Sequence, residues 1–335
     1  MFGHILRAWK NKNAFFYLIL IPLSWFFSAM ITVRRKAYQT GLLHAYTLTV
    51  PVIVVGNINM GGSGKTPIVI WLVEQLRNNG YNPGVISRGY GVNRTKPMQV
   101  LSDSLASQVG DEPLLIARRV ACPVWVGKHR TDVGRALLNG YPACDVIISD
   151  DGLQHYQLRR NLDIVVVDAE TTNAQYLLPA GPLREPQCRL DNVDAIVCHG
   201  DKVSKNIKDK FSEHAFEMQL HGQIFYNLLN VEQTVTADYF KGKLVKAIAG
   251  IGKPERFFNQ LTELGLNVEG ISFDDHHVFS AQDLAEISAE AIIMTEKDAV
   301  KCQSFAQAHH WVLPVEAKIE TGLLTLVLAK LKTLQ

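Results

Sequence analysis

The sequence has little excess charge and few cysteines. A formal net charge of +2 over 335 residues gives no electrostatic reason to expect a nucleic acid partner. The cysteines form no CxxC pair and have no spacing typical of zinc sites, so we expect reduced, mostly buried thiols in a cytosolic compartment. Repeats, low-complexity tracts and signs of an obligate protein partner are also lacking. The cysteines are Cys122, Cys144, Cys188, Cys198 and Cys302.

Charged residues are absent between Lys12 and Arg34, in the window NAFFYLILIPLSWFFSAMITV. At about 1.5 Å per residue, a helix of this length just spans a bilayer core of roughly 30 Å. Pro22 would kink such a helix, which favours shallow or tilted insertion. A buried soluble helix and a cleaved signal peptide are the alternatives. We predict a membrane-associated helix over residues 1–40, spanning the membrane or lying at its interface.

From residue 51 onward, short apolar runs rich in Val and Ile alternate with helical stretches. Such runs are typical of buried parallel strands, so the alternation predicts a doubly wound, mostly parallel α/β sheet. It restarts after the polar stretch 200–216, and 335 residues suffice for two domains. We predict a larger α/β domain at 41–218, a smaller one at 219–318 that ends in a strand over 310–319, and a terminal helix at 319–335 that packs back on the core.

The stretch VVGNINMGGSGKTP, residues 54–67, has the layout of a P-loop, with a strand, a glycine-rich turn and a helix. In this arrangement the turn amides and the helix N-terminus bind phosphate, the lysine reaches the β- and γ-phosphates, and the threonine hydroxyl holds Mg²⁺. A strict P-loop has glycine where this chain has Asn59, and the alternative is a tight turn without a ligand. The predicted nucleotide-binding residues are Gly61, Gly62, Ser63, Gly64, Lys65 and Thr66.

A second candidate feature is the stretch CDVIISDDGLQH, in which an apolar strand ends at Asp150 and Asp151. A carboxylate at the carboxyl end of a strand beside the P-loop strand is where Mg²⁺ is expected. A solvated strand end is the alternative. We predict a metal site formed by Thr66, Asp150 and Asp151, without choosing which aspartate binds the metal.

Asp111, in VGDEPLLIARRV, is expected just before a helix with Pro113 in its first turn. One interpretation is a helix N-cap, worth about 1 kcal/mol. The other is a general base that accepts a proton from an acceptor hydroxyl, worth about 10²–10⁴ in rate.

The loop FDDHHVFSAQDL holds Asp275, His276 and His277 ahead of a helix that Ser280 and Asp283 are expected to cap. An ordinary polar loop is one interpretation. A His–Asp proton relay across a cleft between the two domains is the other.

Several spaced motifs together resemble the tetraacyldisaccharide 4'-kinase family of lipid A biosynthesis. They are GNINMGGSGKTP, ISRGYG, VGDEP, GKHR, ISDDGLQH, GPLREP, DHH and TEKDAVK, in this order. The resemblance covers most of the chain and includes the loop variant with Asn59. It implies a P-loop α/β fold with a second, smaller α/β domain, and a site in the cleft between them. It also implies that ATP, with Mg²⁺, phosphorylates the 4'-hydroxyl of a tetraacylated glucosamine disaccharide 1-phosphate at the cytoplasmic face of the inner membrane.

The resemblance implies roles for individual residues. Asp111 works as a dyad with a histidine of DHH, here His276, with His277 as the alternative, and Lys65 completes the predicted catalytic set. Basic and polar residues within or near the motifs are candidates for binding the substrate's phosphate and sugar. They are Arg88, Arg130, His155, Arg184, Asp275 and His277.

Two other classes of protein share parts of this pattern. A membrane-bound partitioning ATPase shares the loop, but such proteins usually carry a lysine where this chain has Met60. A non-catalytic lipid-binding module would not need Lys65. TEKD, at 295–298, lacks the Asn/Thr-Lys-x-Asp spacing of guanine-binding proteins, which favours ATP over GTP.

Overall fold

The computed structural model describes residues 14–62, 64–89 and 96–334. Ser63, Tyr90, Gly91 and the first 13 residues of the predicted N-terminal segment therefore lie outside the described residues. The strands are β1 (Val52–Gly56), β2 (Pro83–Ser87), β3 (Met98–Val100), β4 (Val124–Val126), β5 (Val146–Asp150), β6 (Leu162–Val167), β7 (Ala195–His199), β8 (Ala215–His221), β9 (Phe225–Asn227), β10 (Thr234–Val235), β11 (Val245–Ala249), β12 (Val268–Ser272), β13 (Ala291–Thr295), β14 (His310–Leu313) and β15 (Glu316–Ile319).

The α-helices fall mainly between the parallel strands. They are α1 (Ala14–Gln39), α2 (Lys65–Asn78), α3 (Ala106–Val109), α4 (Asp111–Arg119), α5 (Arg130–Gly140), α6 (Ala169–Asn173), α7 (Asp201–Phe211), α8 (Pro254–Glu263), α9 (Ala281–Ala285), α10 (Glu296–Cys302) and α11 (Thr321–Lys332). Short 3₁₀ turns lie at Gln187–Asn192, Ala237–Phe240 and Gln303–Phe305. Ser280 and Asp283 form the predicted capping box at the start of α9.

The larger sheet has nine strands in the order β15-β8-β7-β6-β1-β5-β2-β4-β3. The strands from β8 to β4 run parallel, and the edge strands β15 and β3 are antiparallel. β1 lies between β5 and β6, with Val55 opposite Asp150 in β5 and Ile164 in β6. The turn after β1 therefore meets the carboxyl ends of β5 and β6 at one edge of the sheet. This confirms the predicted doubly wound α/β fold.

Both faces of this sheet are covered, because alternate side chains of each strand enter different cores. Ile53 and Val55 of β1 pack in a core with α2, α4 and α11. Val52 and Val54 pack on the opposite face with Val133 and Leu137 of α5. This burial on both sides explains why the strands are continuous Val and Ile runs.

The smaller sheet has six strands in the order β10-β9-β14-β13-β11-β12. β11 is parallel to both β12 and β13, and Phe257 and Leu261 of α8 pack on one face with Trp311 of β14. We call the two sheets with their helices the large unit and the small unit.

The chain returns from the small unit to the large unit at a point that the sequence did not predict. The segment 310–319 was expected as one strand of the small unit, but β14 lies in the small sheet and β15 pairs with β8 in the large sheet. Pro314 and Val315 separate the two strands and allow the change of direction. The polar stretch 200–216 holds α7 and the start of β8, so the large sheet continues past residue 218. Leu323 and Val327 of α11 are buried in the core of the large unit.

The helix α1 lies against the large unit on one side. The Ser24 hydroxyl donates to the carbonyl oxygen of Leu177 at 2.9 Å, while Trp25 and Phe26 are exposed. Within the described part of the chain, no helix combines the length and apolar character needed to cross a membrane.

Candidate active site

The turn between β1 and α2 has the backbone geometry that a phosphate-binding loop requires. Gly61 and Gly64 adopt positive φ values of 109° and 92°, which only glycine adopts without strain. Gly64 is the N-cap of α2 and no side chain caps that helix, so its first amides are available to an anion. Asn59, which replaces the usual glycine, is buried and forms an antiparallel bridge with Leu183. The loop is thus fixed to a neighbouring segment at its first position.

Asp151 lies opposite this turn. Its carboxylate is 3.5 Å from Nζ of Lys65 and 3.2 Å from Nη1 of Arg184. Burial raises its pKa, but these two cations outweigh burial and hold the pKa at about 2. The backbone of Asp151 has a φ of 46°, an unusual conformation for this residue type that is common at functional sites.

Asp150, the last residue of β5, is almost fully buried and accepts a hydrogen bond from the Ser87 hydroxyl at 3.0 Å. Burial and the nearby charges of Glu112 and Asp151 raise its pKa to about 7. The pKa values of the two adjacent aspartates therefore move in opposite directions, because burial dominates at Asp150 and the cations Lys65 and Arg184 outweigh burial at Asp151.

The predicted basic residues gather around this pair of aspartates. Nη2 of Arg130 donates to the backbone carbonyl oxygen of Asp150 at 2.9 Å, and the side chain is 2% exposed. His155 lies near Arg130 and the exposed Arg88, and burial together with these two cations lowers its pKa to about 3. His155 is therefore a neutral imidazole at physiological pH. The structure brings Arg88, Arg130, His155 and Arg184 to one edge of the large sheet.

Asp111 does not cap a helix. The helix α4 begins at Asp111 itself, and Gly110 is its N-cap. The Asp111 carboxylate instead accepts from the amide of Glu112 at 3.0 Å through Oδ1 and contacts Nδ1 of His276 at 3.0 Å through Oδ2. This contact crosses the cleft, because His276 follows β12 in the small unit. His276 has a φ of 62°, which marks a second unusual backbone conformation in the site.

His277 points away from this pair. Its ring packs against Phe273 and Phe279, with 4.8 Å between ring centroids in each case, and its Nε2 lies 3.3 Å from Asp283. Of the two adjacent histidines, His276 is therefore the one that contacts Asp111, and His277 supports the start of α9.

Lys297 is a member of the site that the sequence interpretation left without a role. It is the second residue of α10, which follows the buried strand β13. Its Nζ lies 3.1 Å from Glu112, 3.5 Å from Asp275 and 3.4 Å from Nε2 of His276. A polar residue within two positions of the end of an apolar parallel strand was the available signal, similar to the one that identified Asp150.

A second cluster missed from the sequence joins the units beside the phosphate turn. Asp168 follows β6, is fully buried, and receives Lys253 and Arg256 from the start of α8. Nη1 of Arg256 also lies 3.2 Å from Nδ1 of His199. The run VVVD at the end of β6 carried the same strand-end signal as Asp150.

The cleft between the units holds a cavity of about 810 Å³. The phosphate turn, Asp151, Arg184, His276 and Lys297 all line it. No group of three or more His, Cys, Asp or Glu side chains that would hold a metal by itself exists among the residues the structure describes. The arrangement provides amides and cations for an anion on one side and a carboxylate–imidazole pair on the other.

Comparison with known proteins decides the family. A family model described as tetraacyldisaccharide-1-P 4'-kinase matches residues 16–332. The chain belongs to the tetraacyldisaccharide-1-P 4'-kinase family. The tetraacyldisaccharide 4'-kinase of Methylobacillus flagellatus is 47% identical over 98% of this chain and 96% of that protein. The corresponding protein of an Azoarcus species is 48% identical over 94% of this chain and 92% of its own length.

The fold agrees with a solved member of this kinase family. The crystal structure of LpxK from Aquifex aeolicus in complex with ATP has a TM-score of 0.78 and 28% sequence identity, and the match covers 94% of this chain and 99% of that one. The predicted recognition of the tetraacyldisaccharide 4'-kinase family and the predicted enzyme class are thus confirmed: the chain is a kinase.

Proposed function

We propose that this kinase transfers the γ-phosphoryl group of ATP to the 4'-hydroxyl of a tetraacylated glucosamine disaccharide 1-phosphate, giving the lipid A precursor bisphosphate. The observation that carries the proposal is the contact between Asp111 and His276 at 3.0 Å, placed across the cleft from a phosphate-binding turn. Family membership and the ATP in the related crystal structure support the choice of nucleotide.

In the proposed reaction the large unit holds the phosphates. Amides at Gly61, Gly62 and Gly64 and the cation of Lys65 bind the β- and γ-phosphates, and Ser63 belongs to the same proposed set. Arg184 exchanges part of its pairing with Asp151 for substrate phosphate, and Arg88 and Arg130 add positive charge nearby.

The acceptor side uses the pair across the cleft. Asp111 accepts the proton of the 4'-hydroxyl, and the oxygen so activated bonds to the γ-phosphorus. The bond from the γ-phosphorus to the β–γ bridging oxygen breaks, and ADP leaves. His276 orients the Asp111 carboxylate, and Asp275 and His277 complete the proposed substrate side of the loop.

The residues at the end of β5 fit Mg²⁺. Two carboxylates and the Thr66 hydroxyl are oxygen ligands, which Mg²⁺ prefers together with phosphate oxygens and water. Oδ1 of Asp151 accepts no hydrogen bond within the described structure and lies 3.5 Å from Nζ of Lys65, so this oxygen already faces a cation. We propose Thr66, Asp150 and Asp151 as the residues that hold Mg²⁺, which would neutralise charge developing on the phosphates.

We further propose that the enzyme works at the cytoplasmic face of the inner membrane. The exposed apolar side chains of α1 include Trp25, Phe26, Met30 and Val33, and Arg34 follows them. Such a surface suits the interface of a bilayer with anionic headgroups, where an acylated acceptor is found.

The test is a phosphorylation assay with the purified full-length chain, Mg-ATP and the tetraacyl disaccharide 1-phosphate in mixed micelles. We expect a product heavier by one phosphoryl group, with the new phosphate at the 4' position by tandem mass spectrometry. Asp111→Asn is the matched variant, since it keeps the side-chain shape, and we expect a fall in kcat of about 10²–10⁴. ATP binding without any phosphorylated disaccharide from the wild-type chain would reject the proposal.

A further inference from the structure

Lys297 occupies the centre of a group of charges contributed by both units. Its side chain is 17% exposed. Asp111 and Glu112 face it from α4, Asp275 and His276 from the loop after β12, and Lys301 is the other cation of α10 that acts on Asp111. The three carboxylates would repel one another strongly in this half-buried position without a cation among them.

The contacts also restrict the protonation of His276. A lysine ammonium can only donate, so a hydrogen bond from it to Nε2 at 3.4 Å needs a lone pair on that nitrogen, although Oδ2 of Asp275 also lies 3.9 Å from Nε2. A carboxylate can only accept, so the contact of Asp111 with Nδ1 at 3.0 Å requires a proton there. Both contacts are satisfied together only by a neutral imidazole that donates from Nδ1 to Asp111.

The surrounding charges act on His276 in both directions. Burial opposes the charge on Lys297, but Glu112, Asp111 and Asp275 raise its pKa above the usual range. The hydrogen bond to Asp111, with the charges of Asp111 and Asp275, raises the pKa of His276 above its ordinary value, and burial and the charge of Lys297 oppose that rise. Burial raises the pKa of Asp111, but the hydrogen bond from His276 and the charge of Lys297 bring it down to about 2.

We propose that Lys297 is a positioning residue of this kinase: it holds the Asp111–His276 pair as a carboxylate and a neutral imidazole and, through Glu112, fixes that pair at the junction of the two units. The inference rests on the proposed function for its catalytic meaning. It assigns a role to the segment Thr295–Asp298. Here Lys297 acts on the pair, while Asp298 accepts a hydrogen bond from the amide of Gly250 at 3.1 Å and so fixes the loop after β11.

Removal of the charge has a defined consequence. Without Lys297 the pKa of His276 rises, because the repulsive neighbour is gone and Asp111 remains. An imidazolium then forms at higher pH and makes the Asp111 carboxylate a poorer base. In a plot of kcat/KM against pH, the acid limb, where activity falls as the pH is lowered, therefore moves to higher pH. Loss of a merely structural contact would not produce this shift.

The experiment compares Lys297→Met, Lys297→Arg and the control Arg119→Met. Arg119 joins the same two helices through Glu296 at 2.7 Å, but Glu296 is not among the groups that shift the pKa of His276 or Asp111. We expect the acid limb to move up by about one pH unit in Lys297→Met, and to keep its wild-type position in Lys297→Arg and Arg119→Met. An unmoved limb in Lys297→Met, with activity reduced equally at every pH, would overturn the inference.

A second measurement does not depend on activity. Imidazole ¹⁵N spectra of histidine-labelled full-length protein, assigned with His276→Gln, report the tautomer and midpoint of His276. We expect the Nδ1–H tautomer in the wild type and a midpoint about one unit higher in Lys297→Met. Equal midpoints, or the Nε2–H tautomer in the wild type, would refute the inference. If Lys297→Met does not fold, the wild-type tautomer decides. An inactive wild-type protein would reject the proposed function, and the titration of His276 would then remain as the test of the role of Lys297.

Discussion

The two units each carry a glycine–lysine turn between a central strand and the next helix. In the large unit Gly64-Lys65 joins β1 to α2, and in the small unit Gly252-Lys253 joins β11 to α8. Both lysines meet an aspartate at the carboxyl edge of the large sheet. Lys65 pairs with Asp151 within its own unit, whereas Lys253 pairs with Asp168 across the cleft.

The difference between these turns lies in the surroundings of the aspartate. The Asp151 side chain is 33% exposed and faces the cavity, so its cations can exchange it for a phosphate. The Asp168 side chain is fully buried, and its ion pairs with Lys253 and Arg256 join the two units. We therefore propose that the same local sequence pattern binds a ligand in one unit and joins the units in the other.

The largest expected effect tests the first turn. Lys65→Ala removes the cation that we assign to the β- and γ-phosphates, and we expect kcat/KM to fall by about 10³-fold or more while the protein stays folded. The assay is single-turnover phosphorylation, with circular dichroism as the check on folding. A fall of less than about tenfold would contradict the assigned difference between the turns.

A smaller effect is expected at the second turn. Lys253→Met leaves Asp168 with only part of its cationic partners, and we expect the free energy of unfolding to fall by about 2 kcal/mol. We expect kcat/KM to fall about tenfold, because the units are held less firmly. The matched control is Lys246→Met, which breaks an exposed pair with Glu269 in the same unit and should change stability by less than about 0.5 kcal/mol. Equal losses of stability in Lys253→Met and Lys246→Met would contradict the role assigned to the second turn.

The pH dependence of unfolding sharpens the same comparison. Burial raises the pKa of Asp168, but Lys253 and the other partners outweigh burial and lower it below its ordinary value of 3.8. The stabilisation by this carboxylate is therefore present above pH 3.8 and is lost as the pH falls through the lower, folded-state pKa. Denaturant unfolding at a series of pH values should show the difference between wild type and Lys253→Met shrinking below about pH 4. A constant difference would show that the ion pair is not its source.

The smallest effect concerns the distance between the two turns. A Cβ added at Gly252 would lie 3.0 Å from the amide nitrogen of Gly62, so Gly252→Ala presses on the phosphate turn. We expect KM for ATP to rise about threefold, corresponding to roughly 0.6 kcal/mol, with kcat little changed. Gly140→Ala is the control, since its Cβ would make only an ordinary contact of 3.5 Å with Trp125. An unchanged KM for ATP would mean that the loop after β11 moves to make room for the added Cβ and does not press on the phosphate turn.

Local sequence patterns predicted many of the strands and the phosphate turn, because these elements depend on residues that are neighbours along the chain. The strand runs, the cap at Ser280 and the strand-end aspartates are of this kind. The separation of β14 from β15 was missed, since one apolar run gives no sign that Pro314 lies where the chain changes sheets. The role of Lys297 was missed because Glu112 and Asp275 approach it only in the folded structure, from segments far away along the chain.

The return of the chain to the large sheet has a consequence for biosynthesis. β15 pairs with β8, and α11 covers the same core as α2. The unit that begins at β1 therefore stays incomplete until residues 316–332 leave the ribosome, while the small unit lies entirely between these parts and can form earlier. A nascent chain halted before β15 would expose the edge of β8 and an uncovered apolar face, which makes it a substrate for chaperones rather than a truncated enzyme.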